Sequence, residues 1–252
     1  IFKTLGILII TFLILSASYI VNLFLMKPLS MDHYLAKELV VELIDSPEAM
    51  TYVGIFDRFS WLTKHSSKLS IPTENDRNED ISELEDRLKI LQSYDINKLS
   101  DIQKTTREIA IFDTKNNLKN KKEFYYHDFP LNQIGGIHLS TIEFLNSMHP
   151  IRNLSEANAL IDRAFQIKAV FEGTRESLER QAEIGIYPPD FVYDHVLEQL
   201  TSFIEYTDEE HPLFTQFDRK IQEINLTHED RSMLKENLKN AIRTSVTPGF
   251  QL

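Results

Sequence analysis

The sequence predicts an all-α protein, an irregular multi-helix domain preceded by one transmembrane helix. Three observations support this reading. An uncharged apolar run occupies the amino end, helix-capping pairs recur along the rest of the chain, and very little alternates with the two-residue period of a strand. With 252 residues and 42% apolar side chains the chain can bury a core. The expected division is residues 1–27 as anchor and 28–252 as helical domain. The second part reads as the amino-terminal portion of a larger domain cut at Leu252, because the chain opens on Ile1 and stops just after Thr247-Pro248-Gly249.

The anchor is Leu5 to Phe24, LGILIITFLILSASYIVNLF, free of charge and bracketed by Lys3 and Lys27. A helix of this length rises about 30 Å at 1.5 Å per residue, the thickness of a hydrocarbon core. A lipid bilayer is therefore an expected partner through residues 5–25. A cleaved signal peptide is the alternative, with Ser16-Ala17-Ser18 as its cleavage site, but apolar residues resume at Ile20 and run to Met26.

Helix signals then follow in order. Ser30 precedes an apolar pattern through Leu35, Val40, Val41 and Leu43 to Ile44, and Ser46-Pro47-Glu48 offers a cap, a first-turn proline and an early acid. The acidic run Glu74–Asp80 reads as a solvated loop. Asp80 with Glu83, Ser100 with Gln103, Ser140 with Glu143, and Thr227 with Asp230 have the spacing of reciprocal caps. The longest helix is expected from Ser155 to Ile184, burying Leu160, Ile161, Ala164, Phe165, Ile167, Val170, Phe171, Leu178 and Ala182. Gly185 ends it, and Tyr187-Pro188-Pro189-Asp190 opens the next, which carries Phe191, Val192, Val196, Leu197, Leu200 and Phe203. Asn116–Asp128, with Lys115, Lys119, Lys121 and Lys122 close together, reads as a polar turn.

Charge and composition narrow the chemistry. A net charge of −11 makes a nucleic-acid backbone an unsuitable partner. Without cysteine there are no disulfides, thiolate metal sites or Cys nucleophiles. His228-Glu229 begins the helical zinc motif, yet Ser232 stands where its second histidine belongs. His138 and His149 flank one expected helix, so a metal shared between them needs an unusual approach. Asp190, Asp194, His195 and Glu198 lie on neighbouring turns, as an acid/base set or as the polar outer face of an amphipathic helix.

Gly135-Gly136 interrupts this helical pattern within FPLNQIGGIHLST, Phe129–Thr141. Paired glycines between Ile134 and Ile137 suggest an extended, partly buried connection. It serves either as a turn that lets the Ser140 helix pack closely or as a cleft lining that offers main-chain groups to a peptide, with Asn132, Gln133, Gly135 and Gly136 as the candidate residues.

Three segments together resemble, in order and spacing, the amino-terminal half of the bacterial domain-of-unknown-function 885 family. They are SPEAMTYVGIFDRFSWLTKHSS (Ser46–Ser67), FPLNQIGGIHLSTIEFLNSMHPIRN (Phe129–Asn153), and the long helix leading into GIYPPDFVYDHVLEQL (Gly185–Leu200). The matching residues are Pro47, Glu48, Thr51 and Gly54; Pro130-Leu131-Asn132-Gln133 with Gly135, Gly136 and His149-Pro150; and Gly185 with Pro188-Pro189. The resemblance covers most of Leu35 to Leu252.

It implies a helical, zinc-dependent peptidase-like hydrolase whose HExxH motif and further acidic ligand lie in a carboxy-terminal half beyond Leu252. No catalytic, cofactor-binding or metal residue is thereby assigned within the chain, and zinc is expected in the missing half. The chain would form a wall of the substrate cleft, with a peptide as substrate and the soluble part on the periplasmic or cell-surface side. The alternative is a non-enzymatic, membrane-anchored helical module that binds a protein or peptide partner.

Overall fold

The computed structural model describes residues 2–57 and 63–252. Residues 58–62 of the Ser46–Ser67 stretch lie outside the described residues, as do Ile1 and the side chain of the flanking Lys3. The described residues form helices and turns with no strand. They fall into two compact units, residues 1–45 with 78–122 and residues 46–77 with 123–252.

In the first unit, α1 (Phe2–Leu25) covers the expected anchor as a single helix. Most of its described apolar side chains, Ile10, Phe12 and Leu15 among them, stand exposed, and Leu23 is half-buried. Among the described residues, however, no helix is long and apolar enough to cross a membrane, so the expected crossing is not itself a feature of the structure. Asn22, the one amide in the run, holds the turn that follows: its Oδ1 accepts from Leu29 N–H at 2.9 Å and its Nδ2 donates to the Lys27 carbonyl at 3.0 Å.

After α2 (Met31–Asp45) the unit continues in residues 78–92 of α4 (Glu74–Gln92) and in α5 (Asp101–Lys119). The acidic run Glu74–Asp80 is not a loop; it opens α4. The reason is Thr73, whose hydroxyl accepts from Asp76 N–H at 3.1 Å while the Asp76 carboxylate accepts from Thr73 N–H at 3.0 Å. Acids in a first turn also meet the positive end of the helix dipole. Asp80 is therefore interior to α4 and caps nothing. The Ser100–Gln103 capping box forms as its spacing suggests. Asn116–Lys119 is the end of α5 and not a turn, and the chain runs on into a π turn over Asn120–Phe124. There Lys121 pairs with Asp80 and Lys122 with Glu85. Met31, Tyr34, Leu91, Tyr94 and Ala110 make a small core. Tyr94 O–H donates to the Pro28 carbonyl, and Arg107 closes the end of α4 on the Leu91 and Gln92 carbonyls.

The second unit holds α3 (Pro47–Val53), α6 (Ile137–Glu143), α7 (Leu154–Ala164), α8 (Ile167–Glu183), α9 (Asp190–Glu205), α10 (Pro212–Gln222), α11 (His228–Ala241) and α12 (Thr247–Phe250). Ser46 and Thr227 cap α3 and α11 as expected, accepting from Ala49 and Asp230 N–H. Ser140 does not cap: it lies inside α6, which starts directly after Gly136. The main core joins Leu160, Ile161 and Ala164 of α7, Ile167, Val170 and Phe171 of α8, Leu213, Phe217 and Ile221 of α10, and Leu234 and Leu238 of α11. Each fully buried aliphatic or aromatic side chain contributes about 1.5–3 kcal/mol.

The expected single helix Ser155–Ile184 is two, broken at Phe165–Gln166. Gln166 sits at φ −94°, ψ −10°. Its amide binds three backbone groups, Leu69 N–H, the Ser67 carbonyl and the Asp162 carbonyl. Ser245 replaces ladder bonds at the break: its hydroxyl donates to the Phe165 carbonyl at 2.9 Å and accepts from Lys168 N–H at 3.1 Å. Since backbone groups need partners when buried, these two side chains make the interruption tolerable. Gly185, at φ 76°, ends α8 as expected.

Candidate functional site

The stretch around Gly135-Gly136 is a closed turn and not an extended connection. Asn132 organises it. Its Oδ1 accepts from Ile134 N–H at 3.1 Å and Gly135 N–H at 3.0 Å, and its Nδ2 donates to the Phe129 carbonyl at 3.2 Å. An Asn side chain that binds the backbone two and three residues on mimics a backbone turn. Gly136 N–H then donates to the Asn132 carbonyl and Ile137 N–H to the Pro130 carbonyl. A Cβ at Gly136 would lie 2.6 Å from Asn132 N and 2.8 Å from Asn132 O, whereas one at Gly135 would meet nothing within 4 Å. The pair therefore does different jobs: Gly136 permits a close backbone approach, and Gly135 has no such contact.

The turn is tied to α9. Gln199 Nε2 donates to the Gln133 carbonyl at 3.1 Å, and Gln199 Oε1 lies 2.9 Å from His138 Nε2. His138 is buried on α6, which keeps its imidazole neutral with a pKa below the usual value. The proton then sits on Nε2, facing the amide oxygen, and Nδ1 has no partner.

This arrangement sets Phe129 and Leu131 against α8 and α9, and a pocket of about 280 Å³ opens there. Leu178, Gln181 and Ala182 of α8, Ile186–Pro188, and Val192, Tyr193, Val196, Leu197 and Leu200 of α9 complete its wall. None of the lining side chains is charged. Leu178 and Ala182 are positions that helical spacing assigns to the core; they line the pocket instead, Leu178 half-buried and Ala182 exposed. Leu197 is likewise 59% exposed. Gln181, 2% exposed, donates from Nε2 to the Asp128 carbonyl, and its Oε1 has no partner.

The second cluster in this unit is polar and closed. Arg163, 0% exposed, donates to the Lys68, His65 and Pro47 carbonyls, to the Thr51 hydroxyl and to His149 Nδ1, and its guanidinium lies over the Phe144 ring. Burial lowers its pKa to about 10. Asp57 meets Arg152 at 2.6 Å and His65 at 3.6 Å. Sequence reasoning missed Arg163 because an arginine in a helix usually reads as solvent-facing. The motif residues Pro47, Thr51 and His149 all converge on it.

The other sequence candidates do not assemble. His138 and His149 are engaged with Gln199 and with Arg163 and Glu156, respectively, so they do not share a metal. Asp190, Asp194, His195 and Glu198 are all exposed on the outer face of α9. Among the described residues no group of three or more His, Asp or Glu side chains can hold a metal ion.

The fold and site define an all-α protein whose second unit holds an apolar pocket and, apart from it, a buried arginine-centred network. The family model described as "Bacterial protein of unknown function (DUF885)" matches residues 47–251, and the chain belongs to that family. No curated protein matches the sequence. Among solved structures, the chain is similar to the "putative lipoprotein from Colwellia psychrerythraea", at 18% identity and a TM-score of 0.68. The likeness covers 85% of this chain, which spans only 39% of that one; at this identity it bears on the fold alone.

Proposed function

We propose that the chain is the membrane-attached, amino-terminal part of a zinc-dependent, peptidase-like hydrolase, and that its second unit forms one wall of the substrate cleft. The observation that carries this reading is the open, uncharged pocket beside the Asn132 turn, a concave apolar surface of the kind that binds small ligands. The wider frame rests on the resemblance to the 885 family, whose model matches residues 47–251.

In this reading α1 attaches the protein to lipid. Its exposed Ile10, Phe12 and Leu15 favour a hydrocarbon environment, and the soluble part lies on the periplasmic or cell-surface side. Asn132 and Gln133 shape the wall through their turn, since the Asn132 amide is already committed to Phe129, Ile134 and Gly135. Reading the frame past Leu252 tests the proposal: a His-Glu-x-x-His sequence is expected. A stop codon directly after Leu252, or a longer protein that cleaves no peptide with zinc supplied, would overturn it in favour of a binding module.

A further inference from the structure

We infer that the pocket between Phe129–Leu131, α8 and α9 is a subsite for one large, uncharged side chain of a peptide, aliphatic or aromatic. The inference rests on the peptidase-like reading and deepens it by naming the side-chain class.

Volume sets the size. A dry apolar cavity of about 150 Å³ already holds a benzene ring, so a pocket of about 280 Å³ has room for a leucine, phenylalanine or tryptophan side chain. Charge sets the chemistry. No lining residue is ionisable in the neutral range, so a carboxylate or ammonium group entering the pocket would lose its hydration and gain no partner.

Finally, the pocket stays open where helical spacing would close it: Leu178, Ala182 and Leu197 leave apolar surface uncovered.

The test is direct binding to the full chain, read without hydrolysis, so that its outcome is separate from that of the peptidase-like reading. The probes are N-acetyl-L-phenylalaninamide, N-acetyl-L-leucinamide, N-acetylglycinamide and decanoate, followed by calorimetry and saturation-transfer NMR. The phenylalanine and leucine amides are expected to bind at least about ten-fold tighter than the glycine amide, the ratio that burial of one such side chain supports. Ala182→Trp fills the pocket from its exposed rim and should weaken that binding about ten-fold with thermal melting unchanged. If Ala182→Trp fails to fold, Leu197→Lys places a charge at the same rim and carries the same expectation. Equal affinity for the phenylalanine and glycine amides, tighter binding of decanoate than of either large amide, or undiminished binding by a folded pocket variant would each overturn the assignment.

Discussion

Arg163 Nη1 lies 2.7 Å from His149 Nδ1, and this contact determines the state of the imidazole. A guanidinium only donates, so Nδ1 must be bare. The proton is on Nε2, which donates to the Glu156 carbonyl at 2.9 Å. Burial, then the Arg163 charge, pushes the His149 pKa down to about 3. A histidine that the sequence offers as a candidate ligand is thus a neutral bridge between α7 and the loop before it.

Replacing Arg163 with Met should destabilise the protein by about 3–5 kcal/mol, because the Lys68 and His65 carbonyls, the Thr51 hydroxyl and His149 Nδ1 would lose their donor inside the unit. Arg163→Lys should recover only part of this, since one ammonium cannot span the same acceptors. Urea titration of both variants measures the effect. A loss below about 1 kcal/mol in Arg163→Met would show that solvent or rearrangement satisfies the network.

Stability should fall as pH drops below about 6.5, where histidines of the unfolded chain take up protons. Four buried histidines resist this in the folded state. His149 is held at about 3 and His211 at about 4, and His65 and His138 are also lowered, in each case chiefly by burial. The unfolded state binds more protons between these values and 6.5, so the contribution is fully present above that window and is lost as pH falls through it. Each fully depressed group removes about 1.4 kcal/mol per pH unit. Denaturation midpoints at pH 7.5, 6 and 5 test the sign, and unchanged midpoints would show that the imidazoles protonate without unfolding.

How much of this could be read from the sequence depends on how local the cause is. The caps at Ser46, Ser100 and Thr227 and the stop at Gly185 were legible, because each is set within a few residues. Asp80 and Ser140 have the same spacing and failed: Thr73 and Gly136 start those helices earlier, and a capping pair inside a helix looks the same on paper. The break at Phe165 was not legible, since Ser245 supplies the replacement bonds from 80 residues away. The pocket shows the same limit. Leu178 and Ala182 carry a core pattern, and only the path of Phe129–Leu131 reveals that they line a pocket, Leu178 half-buried and Ala182 exposed.

The two adjacent glycines should respond differently to alanine. Gly136→Ala forces a Cβ against Asn132 N and O, backbone atoms that cannot rotate away, and should cost about 1–3 kcal/mol. Gly135→Ala meets open space and should change stability by no more than about 0.5 kcal/mol. Thermal melts of the two variants side by side decide the point. Equal shifts would mean that the turn adapts around a Cβ at Gly136.

Ser245 is the least conspicuous residue in the second unit with a large expected effect. Its one hydroxyl satisfies the Phe165 carbonyl and the Lys168 N–H, the two groups that the interruption between α7 and α8 takes out of the helical ladder. Ser245→Ala leaves both without that partner at a 4% exposed position and should destabilise by about 1–3 kcal/mol. Ser245→Cys nearly preserves the volume but hydrogen-bonds weakly, so it separates bonding from packing. If bonding dominates, the cysteine variant falls close to the alanine variant in chemical denaturation. Hydrogen exchange at Lys168 should accelerate in both. Wild-type stability together with a protected Lys168 amide in Ser245→Ala would show that the break between the helices needs no side chain to hold it.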